Sequence, residues 1–169
     1  QSPVDDIPAI SDRRRWLALY VLCAGMLMIV LDITIVNVAL PSIQDDLGFS
    51  QSNLAWVVNA YLISFGGLLL LSGRLGDLVG RRRIFMIGLA IFTLASLACG
   101  FAQSQGVLTA ARFVQGVGGA CMWAAGMAWL VSASPPERRG ELIGSALAAA
   151  IVGVLLGPVL GGAATVVGP

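Results

Sequence analysis

Five long apolar runs constrain this chain more than any other feature of its sequence. They cover residues 16–40, 54–72, 84–102, 107–131 and 142–167. Each is about as long as the roughly 20 residues that a helix needs to cross about 30 Å of hydrocarbon. Runs of this length are too long for strands, and a helix satisfies its own backbone hydrogen bonds in lipid. The sequence therefore predicts an all-α membrane protein with five transmembrane helices.

The composition argues against a soluble enzyme. Hydrophobic residues make up 57% of the chain and charged residues only 11%, whereas soluble domains carry about 25% charged residues. There is no histidine, and all ten basic residues are arginine, so no imidazole is present for metal binding or proton transfer near neutral pH. Cys23, Cys99 and Cys121 lie in apolar runs without metal-ligand spacing. We expect no enzyme activity, no metal or other cofactor, and no nucleic-acid partner.

The arginines indicate the orientation of the chain in the membrane. The N-terminal segment and the second and fourth connections contain Arg13, Arg14, Arg15, Arg74, Arg81, Arg82, Arg83, Arg138 and Arg139, and the first and third connections contain none. Because arginine is enriched on the cytoplasmic side, the sequence predicts a cytoplasmic N-terminus and a multi-pass protein of the plasma (inner) membrane of a bacterium. Residues 1–15 are expected to form a disordered cytoplasmic tail and residues 16–169 a single transmembrane bundle.

Two charged residues lie inside the apolar runs, Asp32 in the first and Arg112 in the fourth. Charges within the membrane are costly and by default mark a functional site. At 1.5 Å per residue, Asp32 is about 25 Å from Arg15 and Arg112 is about 9 Å from Gly106, so both lie toward the outer side. An ion pair or a shared polar cavity is therefore expected. The alternative is that Asp32 ends the first helix early and Arg112 reaches the outer headgroups.

The surroundings expected for Asp32 suit a group that binds and releases a proton. Burial disfavours a charged carboxylate, whereas a guanidinium nearby favours it. These opposed effects keep both protonation states accessible. We predict that Asp32 exchanges protons.

The second connection, Gly73–Arg83, reads GRLGDLVGRRR and is expected to form a tight charged turn. Gly76 and Gly80 leave the backbone bare where helices pack closely, and Asp77 is spaced to pair with Arg81 one helical turn later. The alternative is a plain charged loop that only sets the topology.

Two further glycine motifs lie in the fourth and fifth apolar runs. In the fourth run, Gly116, Gly118 and Gly119 follow Gln115 and form a small-residue face that lets a neighbouring helix approach. In the fifth run the glycines recur every four residues beside a proline that is expected to bend the helix; they are Gly153, Gly157 and Gly161, with Pro158 and Gly162. A static contact between helices is the alternative interpretation of this second motif.

These motifs resemble signatures of the major facilitator superfamily. Gly73–Arg83 is similar to its loop motif between helices 2 and 3, Arg112–Ala120 to its helix-4 motif, and Gly153–Gly162 to the helix-5 antiporter motif of its drug exporters. Leu31–Pro41 and Trp56–Tyr61 resemble, more narrowly, the drug:proton antiporter subfamily with fourteen helices (the EmrB/QacA type). The chain is identified as the N-terminal part of such a transporter.

The resemblance implies a fold and a role for each motif. The five helices would belong to a six-helix N-terminal bundle that faces a C-terminal bundle absent from this chain. Asp32 would exchange protons with the help of Arg112 and the helix-4 motif, and the helix-5 glycines would act as a hinge. The gating motif would hold the two bundles together on the cytoplasmic side; its residues are Gly73, Gly76, Asp77, Gly80, Arg81 and Arg82.

We therefore expect proton-coupled antiport that exports hydrophobic or cationic drug-like molecules. The implied partners are protons, a small hydrophobic or cationic substrate, membrane lipid and the C-terminal bundle. Two alternatives remain: a facilitator or symporter of another solute with the same fold, or a membrane fragment that does not transport. The second arises because one incomplete bundle cannot alternate access between two halves.

Overall fold

The computed structural model describes residues 12–167 and has a helix at each apolar run. The helices are α1 (Asp12–Leu47), α2 (Gln51–Val79), α3 (Arg81–Gly100), α4 (Gln105–Ala133) and α5 (Arg139–Val167), with a short 3-10 turn at Pro136–Arg138 before α5. All five are long and apolar enough to cross a membrane. The described residues contain no strand, which confirms the predicted all-α membrane fold.

Most helix ends extend beyond the apolar runs, so three of the four connections are shorter than predicted. The first connection, predicted to begin at Pro41, shrinks to residues 48–50, and Pro41 lies inside α1. Of the expected N-terminal tail, residues 12–15 belong to α1 and residues 1–11 lie outside the described part. Hydropathy locates the section of a helix in lipid, whereas its ends depend on capping: Ser50 caps α2 by accepting a hydrogen bond from the backbone N–H of Asn53.

The prediction of a tight turn at Gly73–Arg83 is wrong, because all of these residues except Gly80 are helical. Residues up to Val79 complete α2, and Arg81 begins α3. Gly80 joins the two helices with φ +114° and ψ +125°, a backbone conformation that glycine adopts without the steric cost of a Cβ. The charged residues of this motif therefore lie on two helix ends that meet at one residue.

Helix α4 forms the centre of the bundle. It packs extensively against α2 and α3, while α5 packs mainly against α1 and α1 also contacts α4. Glycines on two sides of α4 allow this close approach: a Cβ on Gly118 would lie 2.9 Å from the carbonyl oxygen of Gly88 in α3, and one on Gly116 would overlap Ser64 in α2. The small residues that were predicted to form one face of α4 therefore lie on two faces, one packed on α3 and the other on α2.

The buried apolar side chains form two clusters at different levels of the bundle. The larger cluster includes Tyr61, Phe85 and Met122. The smaller one includes Val57 and Leu108 and lies toward the connections α1–α2 and α3–α4. Val57 and Tyr61 are one helical turn apart on α2, so the boundary between the clusters lies at this turn, beside the buried Arg112.

Candidate functional site

Asp32 of α1 and Arg112 of α4 form an ion pair inside the bundle. Arg112 Nη1 lies 2.6 Å from Asp32 Oδ2, and the two side chains are 3% and 15% exposed. Helix α1 continues past Asp32 to Leu47, and Arg112 is buried rather than directed to a headgroup. The alternative in which Asp32 ends the first helix and Arg112 reaches the membrane surface is therefore wrong.

Gln115 closes a triangle of hydrogen bonds with this pair. Its Nε2 donates to Asp32 Oδ1 at 2.7 Å, and its Oε1 accepts from Arg112 Nη1 at 2.8 Å. Gln115 is fully buried and lies one turn after Arg112 on α4. Its carbonyl oxygen meets a donor and its amide nitrogen meets an acceptor, so the reversed amide orientation would break both contacts. Each carboxylate oxygen of Asp32 thus has its own donor.

Helices α2 and α3 contribute further contacts to this triangle. The carbonyl oxygen of Val57 accepts a hydrogen bond from Arg112 Nε at 3.4 Å, and the Arg112 guanidinium carbon lies 4.5 Å from the ring centroid of Tyr61. Cys99 of α3 donates through Sγ to Gln115 Oε1 at 3.7 Å. Residues from four helices therefore converge on Asp32 and Arg112.

The helix 2–3 motif forms a second polar site at the end of the bundle that carries the arginines. Arg81 Nη2 lies 3.1 Å from Asp77 Oδ1, so the predicted pair between these residues is confirmed. Arg81 Nη1 also donates to the carbonyl oxygen of Ala128 in α4 at 3.1 Å. A Cβ on Gly76 would lie 3.7 Å from the Cβ of Ala125, so the end of α2 fits closely on α4. Arg81 thus connects α2, α3 and α4.

The other residues of this motif differ in their surroundings. Gly73 faces Ala124 of α4, with 3.9 Å between a Cβ on Gly73 and that of Ala124. Arg82 is exposed at the start of α3. The role of the motif as a gate stays a prediction.

The glycines of the helix-5 motif face α1. Gly153, Gly157 and Gly161 are buried, and a Cβ on Gly157 would overlap the side chain of Thr34. The atoms of α1 nearest to these glycines belong to five residues: Leu27, Val30, Thr34, Ile35 and Val38. The other two residues of the motif lie off this face: Pro158 is exposed and Gly162 is half-buried. Within this chain, α1 rather than a second bundle covers the glycine face, and the hinge role stays a prediction.

Comparison with known proteins decides the family. The profile of the Major Facilitator Superfamily matches residues 22–168. The chain belongs to this superfamily. Because the superfamily consists of transporters, this assignment supports the expectation that the chain is not an enzyme. The described residues form five helices long and apolar enough to span a membrane, which supports a multi-pass membrane protein.

Three curated relatives of this superfamily chain, all bacterial, show what fraction of a full-length transporter the chain covers. A puromycin resistance protein of Streptomyces alboniger is 46% identical over 91% of the chain and 31% of the relative. A cephamycin export protein of Amycolatopsis lactamdurans is 43% identical over 88% of the chain and 31% of the relative. A riboflavin transporter of Clostridioides difficile is 35% identical over 89% of the chain and 33% of the relative. The chain spans about a third of the length of these relatives.

Three residues that contact Arg112 or Gln115 were not predicted from the sequence. Tyr61 stands in a recognised helix-2 motif, and its four-residue spacing from Val57 places both on one helix face, which was a usable signal. Val57 acts through its carbonyl group, and a sequence carries no signal for that. Cys99 lies in an apolar run and gave no signal of a polar role; it is half-buried and contacts Gln115.

Arg112 has other polar and aromatic contacts besides its ion pair with Asp32. Removing one member of a buried pair typically costs about 3–5 kcal/mol, because the other charge is left unpaired. If a proton neutralises Asp32, Arg112 still has the Gln115 oxygen, the Val57 carbonyl and the Tyr61 ring. These contacts hold the guanidinium in place whether or not Asp32 is charged.

Proposed function

We propose that this chain is the N-terminal part of a proton-coupled antiporter that exports hydrophobic or cationic drug-like molecules across the inner membrane of a bacterium. The observation that carries the proposal is the closed triangle of Asp32, Arg112 and Gln115 inside a membrane bundle. The names of relatives, which include a resistance protein and an export protein, support efflux as the direction of transport.

In the proposed cycle the charge of Asp32 depends on which side of the membrane the site faces. Facing outward, Asp32 takes up a proton, loses its charge and releases Arg112. Facing the cytoplasm, Asp32 gives up the proton, and the ion pair forms again. Transport is coupled to the proton because the carrier changes conformation differently with the pair open and with the pair closed.

The gating motif acts at the cytoplasmic end in this proposal. Arg81 already links α2, α3 and α4, so a movement of α4 would reach Asp77 through it. Exposed Arg82 is available to a second bundle. The substrate is expected between the two bundles, beyond the part of the protein that this chain represents.

Substitution of Asp32 tests the proposal directly. In the full-length protein reconstituted into proteoliposomes, Asp32→Asn should reduce efflux of the cationic dye ethidium driven by a pH gradient by about tenfold or more, since the only titrating group of the triangle is lost. Asp45→Asn is the matched control, because Asp45 is exposed near the outer end of α1 and its loss should leave efflux unchanged. Efflux by Asp32→Asn at the normal rate would refute proton coupling through this residue.

A facilitator or symporter is the second candidate, because a riboflavin transporter is among the relatives. A facilitator would equilibrate its solute at the same rate with or without a pH gradient. A symporter would carry protons in the same direction as the solute. An internal pH indicator in the same proteoliposomes distinguishes both from an antiporter, in which solute and protons move in opposite directions.

A further inference from the structure

One face of α2 supports Arg112 but has no part in the roles proposed so far. Val57 and Tyr61 lie one turn apart on this face, and they are 0% and 1% exposed. The Val57 carbonyl accepts from Arg112 Nε at 3.4 Å. The Tyr61 ring lies against the guanidinium, 4.5 Å from its central carbon. Together these two residues contact Arg112 from a helix that carries neither Asp32 nor Gln115.

The Tyr61 contact depends on its ring rather than on its hydroxyl. The hydroxyl is buried and makes no hydrogen bond with any residue that the structure describes, and an unpaired buried hydroxyl destabilises a protein. It points toward Gly119, where a Cβ would lie 2.9 Å from its oxygen. The ring is stacked on Phe65, with 5.8 Å between centroids. Packing thus fixes the ring against Arg112, although its polar group gains nothing there.

We propose that Tyr61 is a positioning residue whose ring holds the Arg112 guanidinium where Nη1 meets Asp32, and that it thereby sets the proton affinity of Asp32. This inference rests on the proposed antiport function. An aromatic face attracts a guanidinium, and the attraction is stronger where water is excluded. A guanidinium held in place favours the charged carboxylate, whereas a loosened one favours its protonated form.

The ionisable groups around the pair are few. They are Asp32 on α1, Tyr61 on α2, Cys99 on α3 and Arg112 on α4. The ionisable residues of α5 are Arg139 and Glu141, both in its first turn, far along the helix from Gly157, which packs beside Thr34. A change at Tyr61 therefore acts on Asp32 chiefly through Arg112.

The test is an infrared titration of the full-length protein in lipid. The carboxyl stretching band of Asp32 is identified as the band that Asp32→Asn lacks, and its pH midpoint is compared between variants. Tyr61→Phe keeps the ring and should keep the midpoint. Tyr61→Leu removes the ring and should raise the midpoint by about one pH unit, a tenfold increase in proton affinity. Phe92→Leu removes another ring that is 1% exposed, and it controls for a general loss of packing.

A second series covers the case in which Tyr61→Leu does not fold. Fluorinated phenylalanines at position 61 keep the shape of the ring but weaken its negative face, so each added fluorine should raise the midpoint further. An unchanged midpoint across this series, or a Tyr61→Leu protein that titrates like wild type, would overturn the positioning role. The efflux assay of Asp32→Asn separates the two proposals: normal efflux there would refute antiport, whatever the effect of Tyr61 on the titration.

Discussion

At the scale of single residues, Gln115 determines how Asp32 is held. An amide can accept from Arg112 and donate to Asp32 at the same time, and the structure uses both functions at 2.8 Å and 2.7 Å. A carboxylate at the same position could accept but not donate in its charged form. The neutral amide therefore leaves Asp32 as the one anion that the Arg112 guanidinium has to neutralise.

Gln115→Glu should make the folded protein bind an additional proton. Two carboxylates would then share one guanidinium, and like charges this close favour protonation of one of them. Because the folded state would hold this proton more tightly than the unfolded state, the variant should be nearly as stable as wild type below about pH 4. It should lose about 1–3 kcal/mol relative to wild type as the pH rises toward 8.

Thermal unfolding in detergent across this pH range measures the effect. Gln103→Glu is the control, because Gln103 is an exposed residue of the connection between α3 and α4 and its variant should parallel wild type at every pH. A Gln115→Glu variant with a constant stability difference from wild type would show that the two carboxylates do not interact.

At the scale of helices, α1 and α5 are held together by shape. The buried face of α5 presents glycines at the positions where α1 presents β-branched side chains, and Thr34 occupies the space over Gly157. Thr34 in turn bonds its hydroxyl to the carbonyl of Val30 at 3.0 Å, so its side chain is fixed. Since Asp32 lies two residues before Thr34 on α1, a shift of α5 would act close to the Asp32–Arg112 pair.

Gly157→Ala should destabilise the protein by about 1–3 kcal/mol, because the added methyl overlaps Thr34 and α1 or α5 must move. Thermal unfolding of the full-length protein in detergent measures the loss. Adding Thr34→Gly should restore part of it, since the space over position 157 is then free.

Gly144→Ala is the matched control on the same helix. Gly144 is exposed and a Cβ there would meet nothing within 4 Å, so this change should be neutral or stabilise by about 0.5–1 kcal/mol. Equal effects of the alanines at positions 144 and 157 would mean that α1 and α5 are not in close contact.

The sequence predicted the existence and order of the helices because each run had to be long enough for the membrane. It predicted less about helix ends: nothing in Gly73–Arg83 distinguishes a charged turn from two helices joined at Gly80, since glycine and arginine suit both. Asp32 and Arg112 were recognisable because charges in an apolar run are rare. The contact of Tyr61 with Arg112 depends on how α2 and α4 are rotated about their axes, and apolar runs exposed to lipid leave that rotation undetermined.

At the scale of the whole molecule, the described charged residues other than Asp32 and Arg112 lie at the two ends of the bundle. Arg81 and Arg138 belong to the end that carries the arginines, where Arg138 pairs with Glu141 at 2.9 Å. The opposite end has polar contacts without arginine, such as Gln105 with the carbonyl oxygens of Leu47 and Gly48 at 3.1 Å. This asymmetry favours a cytoplasmic location for the arginine end.

Labelling of single cysteines tests that orientation. In intact cells, a membrane-impermeant maleimide should label Gln103→Cys at the outer end, and it should label Gly140→Cys only after the membrane is opened. Both positions are exposed, so access depends on the side of the membrane. The native cysteines Cys23, Cys99 and Cys121 are replaced by alanine beforehand. Labelling of Gly140→Cys in intact cells would reverse the proposed topology.

The single carboxylate of the buried triangle also limits what kind of gradient this part of the transporter can use. Among the described residues, Asp32 is the only carboxylate away from the helix ends, so under the proposed antiport one turnover at this site would exchange one proton. Export of a monovalent cation against one proton moves no net charge, and the membrane voltage then does no work. Export of a neutral molecule moves one net charge inward, worth about 2.3 kcal/mol per 100 mV. Under the proposed antiport, the charge of the exported molecule would thus decide whether the pH gradient acts alone or together with the membrane voltage in concentrating that molecule outside the cell.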